Sequence, residues 1–325
     1  MKIGVIGGGA WGTALAQVAS ERGETILWAM EEEVVSSVND RHENSAFLPH
    51  IPLNETIRAT SDLADLDVCD AWIVVTPAQH MRSVLEKAPT GDRPLVLCSK
   101  GIEERSGKLL HEVAQDVCPS APVAVLSGPT FAHEVAAGLP TAVTLACEDR
   151  ALGQALRARI NLVNFRTYFT DDVAGAEVGG AVKNVLAIAC GIVEGKRLGQ
   201  NARAALIARG FAEMVRYGLA MGGRRETLAG LSGLGDLVLT CNSTSSRNFS
   251  LGRAIGEGHD VHDLLKNRRT VAEGAHTAPV LNRIAVARDI DMPIVGAVDE
   301  LLGGEVGLET LLETMLSRPP GDEED

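Results

Sequence analysis

Up to about residue 170, short apolar, β-branched runs alternate with stretches of helical spacing; beyond it, apolar positions recur at helical spacing almost throughout. The runs Lys2 to Ile6, Glu24 to Trp28, Ala71 to Val75, Leu95 to Cys98 and Val123 to Leu126 predict buried strands, with Thr141 to Cys147 and Val163 to Phe169 closing the set. Thr13 to Ala19 predicts a helix, and so does Gly107 to Val117, where Leu109, Leu110, Val113 and Val117 fall near helical spacing. Strands alternating with helices imply an α/β, doubly wound, mostly parallel sheet, followed by an all-α C-terminal domain. The expected division is a first domain over 1–170, a helical substrate and catalytic domain over 171–318, and an acidic disordered tail over 319–325.

The first strand runs into Gly7-Gly-Gly-Ala-Trp-Gly12, the G-x-G-x-x-G spacing, and then into the Ala-rich helix. Gly7 permits the sharp turn, Gly9 removes a side chain where a pyrophosphate would approach, and Gly12 lets the helix pack on the sheet. Free N–H groups at that helix start suit the pyrophosphate. Glu31, about 20 residues on at the end of the second strand, can accept from ribose hydroxyls. A glycine-rich turn without ligand is the plain alternative, and the flanking strand and helix argue against it. A secretory signal is the other competitor for this segment, but five glycines between Gly4 and Gly12 break any continuous apolar helix.

Past residue 170 the most informative stretch is Val178 to Val193, apolar on every face and so expected to be buried, with Lys183 its sole charge. A lysine there needs an anion beside it or loses part of its proton affinity, and either condition suits proton exchange with a substrate. Otherwise it snorkels to the surface. Asp236, after the glycine-rich stretch Gly230 to Gly235, is a plausible partner, unless it merely caps a helix. Ser243 to Asn248 gathers hydroxyls, an amide and Arg247, a set that suits phosphate, although alone it reads as a polar loop. Arg209 and Glu213 can pair one helical turn apart.

Composition narrows the classes. The formal charge of −13 over 325 residues argues against a nucleic-acid partner. An anionic ligand would instead need locally focused cations. The six cysteines and eight histidines show neither disulfide pairing nor zinc spacing, so free thiols in a reducing compartment and no metal are expected. No apolar run reaches the roughly 20 uncharged residues that stable membrane insertion requires.

Taken with Ser99-Lys100-Gly101-Ile-Glu103, Ser127-Gly128-Pro-Thr130-Phe-Ala132, Gly179-Gly-Ala-Val-Lys183-Asn184, Gly233-Leu-Gly-Asp236-Leu237, Ser246-Arg247-Asn248 and Val271-Ala-Glu273-Gly274, the chain resembles bacterial-type NAD(P)-dependent glycerol-3-phosphate dehydrogenases from Gly7 to about Ala278. The resemblance implies a Rossmann-type first domain and reversible hydride transfer between nicotinamide and dihydroxyacetone phosphate or sn-glycerol 3-phosphate. It also implies a role in glycerophospholipid synthesis, a cytoplasmic location and a homodimer.

By that pattern Lys183 exchanges the proton and Asp236 orients it. Lys100, Gly128 and Thr130 line the substrate side, while Ser246, Arg247 and Asn248 hold the phosphate. Ala10, Trp11, Lys100, Ala132, Arg247, Val271 and Glu273 neighbour the cofactor, together with Gly7, Gly9, Gly12 and Glu31 from the motif. Where the family commonly carries an arginine or histidine after the second strand, this chain has Met30-Glu31, which implies NAD(H) over NADP(H) because Glu31 would repel a 2′-phosphate. Two other readings stay open: another two-domain dehydrogenase of the hydroxyacid or ketopantoate type, and a protein that senses NAD(H) without turnover.

Overall fold

A computed structural model describes residues 1–266 and 272–316. Eight strands, β1 (Ile3–Ile6), β2 (Thr25–Trp28), β3 (Ile57–Thr60), β4 (Ala71–Val74), β5 (Leu95–Leu97), β6 (Val123–Ser127), β7 (Thr141–Cys147) and β8 (Phe165–Thr170), form one sheet in the order β3-β2-β1-β4-β5-β6-β7-β8. All neighbours pair in parallel except β6 with β7, so the sheet is mostly parallel and the doubly wound expectation holds. β1 and β4 are buried at every position, as helices on both faces require. The chain winds from β1 out to β3, then returns to the other side of β1 at β4, which makes a topological switch point between β1 and β4.

The helices with the sheet are α1 (Ala10–Ser20), α2 (Glu32–Arg41), α3 (Ala78–Leu85), α4 (Leu110–Val117), α5 (Ala132–Ala136) and α6 (Arg150–Ile160). After β8 the regular elements among the described residues are all helical: α7 (Val173–Gly195), α8 (Gln200–Ala220), α9 (Arg225–Leu228), α10 (Asp236–Cys241), α11 (Arg247–Gly256), α12 (Val261–Lys266), α13 (Glu273–Ala287), α14 (Pro293–Gly303) and α15 (Leu308–Leu316). α7 is the axis of this part, buried without a break from Gly175 to Val193. Contrary to the expectation from sequence, its 23 residues are long and apolar enough to cross a membrane despite Lys183, yet its most apolar window lies wholly inside the protein.

Some local features differ from the expectations or add to them. β3 was not foreseen, and neither was the 3-10 helix over Leu63–Val68, which turns Leu66 and then Cys69 into the core. α4 starts at Leu110 rather than Gly107, because Gly107 sits at φ +70° and Leu109 bridges back to Ile102. Glu213 is buried and accepts from the backbone N–H groups of Ile294 (2.7 Å) and Val295 (3.2 Å), binding α8 to the start of α14. The tail at 319–325 lies outside the described residues.

Candidate active site

At the end of β1 the glycines behave as their spacing demands. Gly7 stands at φ +128°, a region closed to most side chains. A Cβ on Gly12 would lie 1.8 Å from the carbonyl oxygen of Gly7, so only glycine lets α1 approach the turn. A Cβ on Gly9 would meet nothing within 4 Å. That bare backbone, with the first helical bond running from Thr13 N to Gly9 O (2.9 Å), leaves the N–H groups of Ala10, Trp11 and Gly12 outside the helical ladder at the mouth of the crevice. The cradle therefore fits a dinucleotide pyrophosphate.

Asn44, which the sequence reading passed over, braces this turn from inside: its Nδ2 donates to Gly8 O (2.7 Å) and to Thr13 Oγ1 (2.8 Å). Glu31 is exposed at the entry to α2 beyond β2, beside Met30, which is 74% exposed. Ala132 opens α5, which packs on α1.

Lys183 does not snorkel. Its Nζ donates to Asp236 Oδ1 (2.6 Å) and to Thr240 Oγ1 (3.0 Å). Nor does Asp236 serve as a cap: it is the first residue of α10, and its second oxygen, Oδ2, accepts from Lys100 Nζ at 2.6 Å. Side-chain exposure is 0% for Asp236, 7% for Lys183 and 15% for Lys100. Three local features deliver these groups. Lys100 follows β5 in a turn made at Gly101 (φ +130°), and Ser99 Oγ ties that turn to Thr76 O at the end of β4 (2.5 Å). A Cβ on Gly179 would lie 2.2 Å from Ser232 O, so its absence lets the π-helical turn over Leu231–Gly235 lie on α7 and set Asp236 beside Lys183. Thr240 follows Asp236 by one helical turn, a spacing that could have flagged it.

One carboxylate shared by two ammonium groups compensates one charge. The pair accordingly splits. Burial, reinforced by the charge of Lys100 and opposed by Asp236, lowers Lys183 to about 7. Burial also acts against the charge on Lys100, but its contact with Asp236 prevails and holds it above the usual lysine value. Glu273, half-buried at the start of α13, is raised by burial against the pull of Arg247, Lys100 and Lys183.

The Ser246-Arg247-Asn248 cluster is a helix start. Ser246 caps α11 by accepting from Phe249 N (3.2 Å). Asn248 is buried, donating to Asn184 Oδ1 (3.0 Å) beside Lys183 and accepting from Gly274 N (2.9 Å) beside Glu273. Arg247 is exposed. Gly128 and Thr130 follow β6, with Thr130 Oγ1 donating to Gly128 O (3.3 Å). Val271 lies outside the described residues. All six cysteines are free and buried, and among the described residues no group of His, Cys, Asp and Glu could hold a metal ion.

A glycine cradle at the switch point of a doubly wound sheet, with a buried, carboxylate-paired lysine on a helical core, fits the class of dinucleotide-dependent dehydrogenases. Within that class the chain belongs to the NAD-dependent glycerol-3-phosphate dehydrogenase family, whose N-terminal model matches residues 2–153 and whose C-terminal model matches residues 172–313. It is 59% identical to the glycerol-3-phosphate dehydrogenase [NAD(P)+] of Erythrobacter litoralis over 98% of this chain and 96% of that one. With that of Novosphingobium aromaticivorans it shares 60%, over 98% and 97%. Among solved structures, glycerol-3-phosphate dehydrogenase from Coxiella burnetii superposes with a TM-score of 0.92 at 37% identity, covering 98% of this chain and 99% of that one. A ketopantoate reductase from Ralstonia eutropha shares the fold alone, with a TM-score of 0.60 at 16% identity over 97% of this chain and all of that one.

Proposed function

We propose that this enzyme interconverts dihydroxyacetone phosphate and sn-glycerol 3-phosphate using NAD(P)H, supplying the glycerol phosphate of glycerophospholipids. The observation that carries the reading is the buried Lys183–Asp236–Lys100 cluster on the rim that holds the dinucleotide cradle. When bound, the nicotinamide supplies or takes the hydride at the central carbon. Lys183 Nζ gives its proton to the carbonyl oxygen during reduction and takes it back during oxidation, while Asp236 and Thr240 fix the direction of Nζ. A proton affinity near neutrality serves both directions. Lys100 adds positive charge on the substrate side.

The phosphate end is assigned to the start of α11, a ten-residue helix, where Arg247 offers a charged fork and the cap residue Ser246 retains its O–H. Gly128 and Thr130 line the substrate; Ala10, Trp11, Gly12, Ala132 and Glu273 neighbour the cofactor. The division near residue 170, the homodimer and the cytoplasmic location belong to the same proposal, and the family resemblance supports them.

The test is NADH oxidation with dihydroxyacetone phosphate and with unphosphorylated ketoacids, wild type against Lys183→Ala. We expect turnover of the phosphate ester alone and a loss in kcat of about 100-fold or more in the variant. Turnover of ketoacids would favour the hydroxyacid type, and an unimpaired variant would favour a sensor. For the coenzyme, NADH is preferred: Glu31 carries a carboxylate where a 2′-phosphate would lie, and Met30 offers no positive charge. The ratio of kcat/KM values for NADH and NADPH decides it, and a clear NADPH preference would overturn the assignment.

A further inference from the structure

Ser127, the last residue of β6, is 5% exposed, and among the described residues its Oγ has no hydrogen-bond partner. Buried hydroxyls are normally paired, so such an atom at the rim of a ligand crevice calls for a physical reason. Its surroundings supply one. Gly180 lies on α7 three residues before Lys183, hence on the same face of the helix. A Cβ placed on Gly180 would stand 3.4 Å from Ser127 Oγ, 3.4 Å from Lys100 Cγ and 3.5 Å from Lys100 Cδ. In front of Gly180 there is thus room for one carbon atom at ordinary contact distance, walled by the serine hydroxyl and the lysine stem.

Building on the proposed function, we infer that Ser127 is a specificity-determining residue that hydrogen-bonds the terminal hydroxyl of dihydroxyacetone phosphate, whose hydroxymethyl carbon lies against Gly180. Three features select that end of the substrate. The niche is too small and too apolar along the Lys100 stem for a phosphate dianion, which has the start of α11 instead. Both Asp236 oxygens already accept from ammonium groups at 2.6 Å, so the hydroxyl gains most from a separate partner. Ser127 also directly precedes Gly128, which at φ +159° would bring a Cβ within 2.9 Å of Val143 Cα, so the chain leaving β6 is held in place. A site that pairs a substrate hydroxyl rejects the analogue lacking it, because its own polar group is then left unpaired.

The experiment compares dihydroxyacetone phosphate with its 1-deoxy analogue, hydroxyacetone phosphate, in wild type, Ser127→Ala and Gly180→Ala. Ser127→Ala is expected to lower kcat/KM for dihydroxyacetone phosphate by about 10- to 100-fold, mainly through KM. The same variant should leave kcat/KM for the deoxy analogue, the NADH Kd and Tm unchanged. Gly180→Ala fills the niche that the terminal carbon of either substrate would occupy, so it should lower kcat/KM for both, whereas Ser127→Ala should separate them. In Ser127→Ala, equal losses on both substrates, no loss on either or a raised NADH Kd would overturn the assignment, as would a Gly180→Ala enzyme that handles both substrates like wild type. Wild-type enzyme that fails to turn over dihydroxyacetone phosphate would instead defeat the proposed function on which it rests.

Discussion

The two halves of the active site are built in opposite ways. The cradle after β1 is made of backbone: its working parts are N–H groups, a left-handed turn and absent side chains, all within six residues from Gly7 to Gly12. The proposed proton-exchange site is made of side chains from the turn after β5, from α7 and from α10, and its central contact joins Lys100 to Asp236 across 136 positions of sequence. A backbone site depends on whether a Cβ fits. A side-chain site depends on how many charges share one another, so its chemistry is set by burial and by the count of partners.

Changes that break each half should therefore fail differently. Asp236→Asn removes the charge that compensates two ammonium groups in the interior. We expect a loss of about 3 kcal/mol or more in stability, as for other broken buried pairs, and turnover reduced by about 100-fold or more. Denaturant unfolding and kcat would show both; an Asn variant of wild-type stability would mean that the lysines do not depend on the carboxylate.

Gly12→Ala comes next. Alanine gains about 1 kcal/mol over glycine by helix propensity, but a Cβ 1.8 Å from a carbonyl oxygen costs more, so the variant should lose about 1–3 kcal/mol net along with cofactor affinity. Gly9→Ala is the sharper contrast and the smallest effect on the fold. Gly9 has φ −70° and ψ 178°, open to any residue, and its Cβ meets nothing. Its Tm should stay within about 2 °C while the NADH Kd rises about 10-fold, read by thermal melts and fluorescence titration. Equal damage to stability and affinity in both glycine variants would remove the distinction between packing glycine and ligand glycine.

The same contrast explains what could be read from the chain. The cradle was legible because each of its constraints is local, and so was Lys183, because one charge in sixteen otherwise apolar or neutral residues is conspicuous. The second lysine on Asp236, the Thr240 contact and the Asn44 brace were not, since each joins or orients groups whose proximity exists only in the fold. Ser246 and Asn248 were recognised as a polar cluster, while the cap on α11 and the link from Asn184 to Gly274 were hidden by the same absence of local pattern. β3 escaped because it is a four-residue edge strand whose Arg58 points to solvent, leaving little apolar alternation to detect.

The central claim is that Lys183 carries the transferred proton with an affinity tuned by burial and by sharing Asp236. The most direct measurement is the pH dependence of kcat/KM in both directions. With Lys183 lowered to about 7, the charged form needed for reduction exists below that value and the neutral form needed for oxidation above it. Reduction of dihydroxyacetone phosphate should therefore decline as pH rises through about 7, and oxidation of sn-glycerol 3-phosphate should decline as pH falls through it. Profiles flat across that range, or limbs of the same sign in both directions, would contradict the account.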